Sequence, residues 1–225
     1  MVTYSLDFIM LYRELHQKKF ISVVRSNTGW KPEVYLDNKD RAIKKTKALL
    51  NKLNNLNFQK VSSQIHSLYI TAPDIIDKLL GIIISKAILD KGYQSVYIDL
   101  VVHLNKLITD NNSIIDTFVQ QCKIKFDIYI KEYQAISDDE QKYQIKLNIS
   151  DLSTLISILF VRNYISKEFI NDIIIVSFFT TNLIEQLCNL LKTCKSKVST
   201  LFDHKQFNTL CEQMKLQATD KRILF

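Results

Sequence analysis

Apolar side chains recur at three- and four-residue steps along most of the chain. In one clear case Phe58, Val61, Ile65 and Leu68 share a single helical face, and Asn57 stands before them in the position of a capping residue. The same spacing predicts nine helical segments separated by short polar turns. They cover residues 40–53, 57–68, 74–89, 93–107, 112–133, 148–163, 166–179, 181–194 and 202–216.

The pattern does not by itself assign a secondary structure to two stretches. "DIIIVSFFTT" at 172–181 is rich in β-branched residues that favour a strand, but no partner strand is obvious, so we expect a helix that begins after Ser166. "SDDEQKYQIK" at 137–146 is the most polar interior stretch, and it predicts a surface loop between two halves of the protein.

Composition supports an all-α fold. The 225 residues include only three Gly and two Pro, whereas sandwiches and barrels use many of both in tight turns. Successive antiparallel helix pairs of about 40 residues are typical of HEAT-type arrays. We therefore predict a HEAT-type helical-repeat solenoid of about five antiparallel helix pairs, preceded by an N-terminal helix and an irregular linker.

Candidate catalytic chemistry is missing from the sequence. There is no P-loop, HExxH or G-x-S-x-G motif, and the four His residues have no acid or thiol partner at a meaningful spacing. The four Cys residues form no CxxC pair and are expected to be reduced thiols. We predict a protein that is not an enzyme and that has no catalytic residues, no metal site and no cofactor.

The N-terminal stretch "YSLDFIMLYRE" is unusually apolar for a chain terminus, yet it does not have the features of a signal peptide. No Lys or Arg precedes the apolar run, Asp7 interrupts it, and no small-residue cleavage site follows. No uninterrupted apolar run reaches the roughly 18 residues that suggest a membrane span. We expect a soluble cytoplasmic protein without a membrane partner.

A family resemblance begins at "IKKTKALLNKLNNLNFQKV", residues 43–61. This stretch resembles the first helix pair of the middle domain of eukaryotic translation initiation factor 4G, because Leu50, Asn51, Lys52, Leu53 and Phe58 keep that family's order and spacing. The whole resemblance spans about 41 to 225. Four further similar stretches follow the first one in order: "LLGIIISKAILDKGYQSVYIDLVVHL", "QQCKIKFD", "NISDLSTLISILFVRNYIS" and "DKRILF". The acidic loop between the halves is much shorter here than in the family.

The resemblance implies contacts with a DEAD-box helicase similar to initiation factor 4A. The residues that it assigns to this partner are Trp30, Leu50, Leu53, Phe58, Arg222 and Phe225. From spacing alone, the leucines and Phe58 are better explained as core residues of a helix pair, and a partly buried residue at a repeat edge can serve both roles. The two C-terminal residues are equally well explained as part of a frayed tail.

The same family carries, upstream of its middle domain, a short helix that binds the cap-binding initiation factor 4E. Its pattern of Tyr, four residues, then two large apolar residues is matched here by Tyr4, Ile9 and Met10, with Phe8 in the family's Phe position. On a helix these side chains can anchor together in a partner. The alternative is an N-terminal helix that caps the end of the solenoid.

These observations predict three regions: a cap-binding-factor-binding helix (1–20), a linker (21–38) and an initiation factor 4G-like middle domain (39–225). The net charge of +7 and pI near 9.1 add a predicted nonspecific RNA contact at Lys44, Lys45, Lys47 and Lys52, although a solvated basic face explains any one of these lysines at least as well. We expect a translation initiation scaffold that bridges a 4E-like protein and a 4A-like helicase. Two alternatives remain: a middle-domain protein of mRNA decay, splicing or nuclear cap binding, and an unrelated α-helical binding module.

Overall fold

The computed structural model of the chain describes residues 38–71, 75–108, 113–175 and 183–217. Within these ranges every regular element is a helix, and there is no strand. The described helices belong to one compact unit that starts at Asn38. The α-helices are α1 (Asn38–Leu50), α2 (Phe58–Thr71), α3 (Ile76–Leu89), α4 (Gln94–Leu107), α5 (Ile114–Ala135), α6 (Asp139–Val161), α7 (Lys167–Ile175), α8 (Ile184–Thr193), α9 (Val198–Leu201) and α10 (His204–Gln217).

The first six helices form successive pairs. Helix α1 packs on α2, α3 on α4, and α5 on α6, and the short connections make the two members of a pair antiparallel. The first members also contact one another in order, α1 to α3 to α5, and the second members do the same, α2 to α4 to α6. This stacking in two layers is that of an all-α helical-repeat fold, as the periodicity predicted.

Helix α6 lies at the centre of the described fold, where it contacts α3, α4, α5, α7 and α8. Among the described helices, it alone is long and apolar enough to cross a membrane, and half of its most apolar stretch is buried inside the fold. A helix that is apolar on most sides is expected where other helices surround it. Two of its buried hydroxyls are satisfied within the helix, since Ser153 and Ser157 donate to the carbonyls of Ile149 and Ser153.

The predicted surface loop at 137–146 is wrong. Only residues 136–138 connect α5 to α6, and Asp139 onward is helical. The carboxylate of Asp138 caps the helix by accepting from the backbone N–H of Gln141 at 2.8 Å, and the acidic Asp139 and Glu140 are favourable in the first turn. The polarity of this stretch therefore reflects the solvent exposure of a helix start and not an interruption of the helix.

The helix predicted after Ser166 is confirmed as far as the structure describes it. The Ser166 hydroxyl accepts from the backbone N–H of Phe169 at 3.3 Å, and α7 continues to Ile175. Ile173 and Ile174 are buried, which explains their β-branched, apolar character without a strand. The remaining residues of "DIIIVSFFTT" lie outside the described part of the chain.

Candidate interaction surface on the first helix pair

The stretch from the start of α1 to the start of α2 carries most of the net positive charge of the protein. Residues 38–60 contain seven Lys or Arg side chains against one Asp, a net charge of +6 out of +7 for the whole chain. Ala42, Thr46 and Leu50 are buried at four-residue steps and fix the inward face of the helix. The outward faces are therefore left to the basic side chains.

The four lysines predicted to contact RNA all lie on this surface. Lys44, Lys45, Lys47 and Lys52 are exposed, and none of them forms an ion pair with another described residue. Unpaired ammonium groups at the surface create a positive potential that attracts anionic partners. The arrangement supplies nonspecific attraction, and it contains no feature that reads a base.

The predicted helicase contacts on this helix pair lie mainly in the core. Leu50 is 1% exposed and Leu53 is 6% exposed, and both pack in the main apolar cluster. Phe58 is half-buried at the start of α2 and packs against that same cluster. Only Phe58 therefore has side-chain surface to offer a partner at these three positions.

The loop between α1 and α2 holds an exposed leucine that the sequence analysis did not single out. Leu56 is 100% exposed. The loop around it is fixed by asparagine side chains, since Asn54 Oδ1 accepts from the N–H groups of Leu56 and Asn57, and Asn57 Oδ1 accepts from the N–H of Asn54. Spacing alone would have grouped Leu56 with Leu53, three residues before it, and the signal for a loop was the run of asparagines on both sides of Leu56.

A groove of about 580 Å³ lies beside this surface, between α1 and α3. We call it the α1–α3 groove, and its lining residues are Ile43, Lys47 and Asn51 from α1 with Lys78, Gly81, Ile82, Ser85, Lys86 and Leu89 from α3. One of the four predicted lysines, Lys47, is thus placed opposite lysines of another helix. Sequence reasoning missed Lys78 and Lys86 because no local pattern connects them to α1.

We also searched the described part of the chain for metal-binding clusters and reactive thiols. It contains no cluster of three His, Cys, Asp or Glu side chains suited to a metal ion. Burial raises the pKa of the Cys122 and Cys194 thiols, so both stay protonated near neutral pH and are poor nucleophiles. All four cysteines are free thiols.

The other predicted site residues cannot be placed. Trp30, Arg222 and Phe225 of the helicase set lie outside the described residues. The same is true of the predicted cap-binding-protein contacts Tyr4, Phe8, Ile9 and Met10.

Comparison with known proteins adds no family to this description. No protein-family model matches the sequence, and no curated protein matches it. The similarity to the middle domain of initiation factor 4G therefore rests on the ordered stretches of the sequence itself and stays a prediction.

Proposed function

We propose that the protein is a scaffold of translation initiation similar to initiation factor 4G. Its N-terminal helix binds a cap-binding 4E-like protein, and its helical-repeat domain binds a DEAD-box 4A-like helicase in the cytoplasm. By holding both, the protein delivers the helicase to capped mRNA. The observation that carries the helicase part of this proposal is the exposed Leu56 beside Phe58 on the first helix pair.

Leu56 has the properties of a binding anchor. A leucine that is fully exposed in the isolated domain gains the most from burial in a partner, and apolar anchors of this kind dominate many interfaces. The hydrogen bonds of Asn54 and Asn57 already fix the loop, which lowers the entropy cost of ordering it on binding. The exposed Lys52 and Lys60 flank the loop and can form the polar rim.

A scaffold of this kind stimulates a helicase by conformational preference. The helicase alternates between open and closed arrangements of two lobes, and a partner shifts this equilibrium only if it binds one arrangement better. A contact at the first helix pair combined with a second contact elsewhere on the repeat array would favour the nearly closed arrangement. The basic surface of α1 then steers RNA towards the assembled complex without reading its sequence.

The test is a comparison of two exposed apolar residues. Leu56→Ser is expected to weaken binding to a 4A-type helicase about tenfold and to lower its stimulated ATPase activity. The matched control is Ile124→Ser on α5, which removes an apolar side chain that is 57% exposed and far along the chain from the first pair. Equal helicase binding by wild type, Leu56→Ser and Ile124→Ser would contradict the proposed contact.

A further inference from the structure

We propose that the α1–α3 groove is a second docking site, which binds an acidic amphipathic helix of a partner protein. The groove is lined by different residues from the Leu56 loop, so this proposal does not depend on the helicase contact. It rests on three properties of the lining: its length, its apolar floor and the lysines on both walls.

The groove has the length of a short helical ligand. Along α3 it extends from Lys78 to Leu89, which is twelve residues with eleven helical rises between them and therefore about 16 Å of helix. A ligand helix lying along it would make about three turns of contact. Three turns place apolar anchors at i, i+3 or i+4 and i+7 on one face, which is the usual spacing for helix-in-groove recognition.

The floor of the groove is apolar and has room for ligand side chains. Ile43 and Ile82 are partly exposed in the groove, and Leu89 is 74% exposed at its end. Gly81 also lines the groove and contributes no side chain, and a Cβ there would meet only Gln121 Oε1 at 3.7 Å. The missing side chain leaves space into which an apolar residue of a ligand can fit.

The walls of the groove are basic on both sides. Lys47 projects from α1, and Lys78 and Lys86 project from α3. A fourth lysine reaches the groove from α5, where Lys125 Nζ donates to Ser85 Oγ at 3.2 Å. Neither Lys47 nor Lys78 has an ion-pair partner among the described residues, so a ligand carboxylate can take that place.

Asp77 is next to Lys78 in the chain and Asp90 lies beside Lys86, and both acidic groups are already engaged. Asp77 accepts from Gln121 Nε2 through its backbone carbonyl at 3.2 Å and its carboxylate at 3.5 Å. Asp90 lies 3.8 Å from Lys86 Nζ and also accepts from the hydroxyl of Tyr97. Lysines outnumber carboxylates around the groove, and the charge therefore complements Asp or Glu side chains flanking an apolar ligand face.

The lining fits an acidic peptide better than RNA. Single-stranded RNA is bound by aromatic side chains that stack on bases and by arginines, and none of the nine lining residues is aromatic or arginine. An RNA backbone would also leave the apolar floor of Ile43, Ile82 and Leu89 without a complementary surface. An amphipathic acidic helix uses both the floor and the walls.

Fluorescence anisotropy with labelled probes tests this assignment on the full chain. One probe is a peptide of about 14 residues with leucines at i, i+3, i+7 and i+10 and glutamates at most other positions. A scrambled peptide of the same composition and an oligouridine RNA of similar length are the comparison probes. Two variants of the protein are compared with wild type. One combines Lys47→Glu with Lys78→Glu, and the other carries Leu89→Ser alone.

The matched control is Lys106→Glu with Lys131→Glu, which reverses two exposed lysines outside the groove and changes the net charge equally. We expect the amphipathic peptide to bind and the groove charge reversal to weaken it about tenfold or more, with Leu89→Ser also weakening it and the control close to wild type. Absence of peptide binding, equal binding of the scrambled peptide, or equal losses in groove and control variants would overturn the proposal. RNA binding that needs Lys47 and Lys78 without any peptide binding would assign the groove to RNA instead.

Discussion

The aromatic ring of Phe58 meets the imidazole of His103 edge-on, with 5.8 Å between ring centroids and 75° between ring planes. Phe58 begins α2 and His103 belongs to α4, so this contact connects the first helix pair to the second. Phe58, which is expected to face a helicase, thus uses the buried part of its side chain to join two repeats. A partly buried aromatic residue at a repeat edge can serve the core and an interface together.

The first prediction concerns this contact. Phe58→Ala should lower the free energy of unfolding by about 2 kcal/mol, because it removes ring packing against the core. Chemical denaturation of the purified protein measures this change. His103→Ala should cost less, since it removes only the edge contact and leaves Phe58 in the core. An unaltered unfolding midpoint for Phe58→Ala would show that the residue has no structural role.

The second prediction separates the two kinds of leucine in the first pair. Leu50→Ala should destabilise the domain by roughly 2–5 kcal/mol, as expected for a fully buried leucine in a well-packed core. Leu56→Ser should change the unfolding free energy by less than about 0.5 kcal/mol, because the side chain touches only solvent. Thermal unfolding followed by circular dichroism measures both, and a large loss for Leu56→Ser would mean that the loop packs against the domain.

The third prediction concerns alkaline pH. Burial raises the pKa of the Cys122 thiol above its usual 9.0, and burial together with the hydrogen bond to Asp90 raises the pKa of the Tyr97 hydroxyl above its usual 10.0. The unfolded chain therefore loses these protons at lower pH than the folded chain does. Since the folded state then binds more protons, stability should fall as pH rises through about 9 and beyond.

Denaturation midpoints at a series of pH values between 7 and 11 measure this loss. Cys122→Ala removes one of the groups with a raised pKa, so its midpoint should depend less steeply on pH than that of wild type. A midpoint independent of pH across this window would mean that neither group ionises differently in the two states.

The fourth prediction concerns the predicted binding segment at residues 1–20 and follows from the proposed function. Tyr4→Ala or Ile9→Ala should each weaken binding to a 4E-like cap-binding protein by about 2 kcal/mol, roughly thirtyfold, as expected for interface anchors. Calorimetric titration measures the affinity, and thermal unfolding of the same variants should be nearly unchanged. A lowered melting temperature with unchanged cap-protein binding would instead indicate a helix that caps the repeat array.

The sequence by itself determined the fold class of the described residues. Helix formation depends on hydrogen bonds and side chains three to four residues apart, so the stripe through Phe58, Val61 and Ile65 and the cap at Ser166 could be read locally. Local reading failed at 139–146, where a polar stretch belongs to a helix whose first turns face solvent.

Only the tertiary structure decided which side chains are available for binding. Leu50, Leu53 and Leu56 stand three residues apart in sequence, yet two are buried and one is fully exposed, because the neighbouring helices cover only part of the first pair. The lysines of the α1–α3 groove are brought together by the packing of α1 on α3, across a separation of more than thirty residues between Lys47 and Lys78. Exposure and long-range proximity depend on the packing of whole helices, and a periodic pattern along one helix does not contain that information.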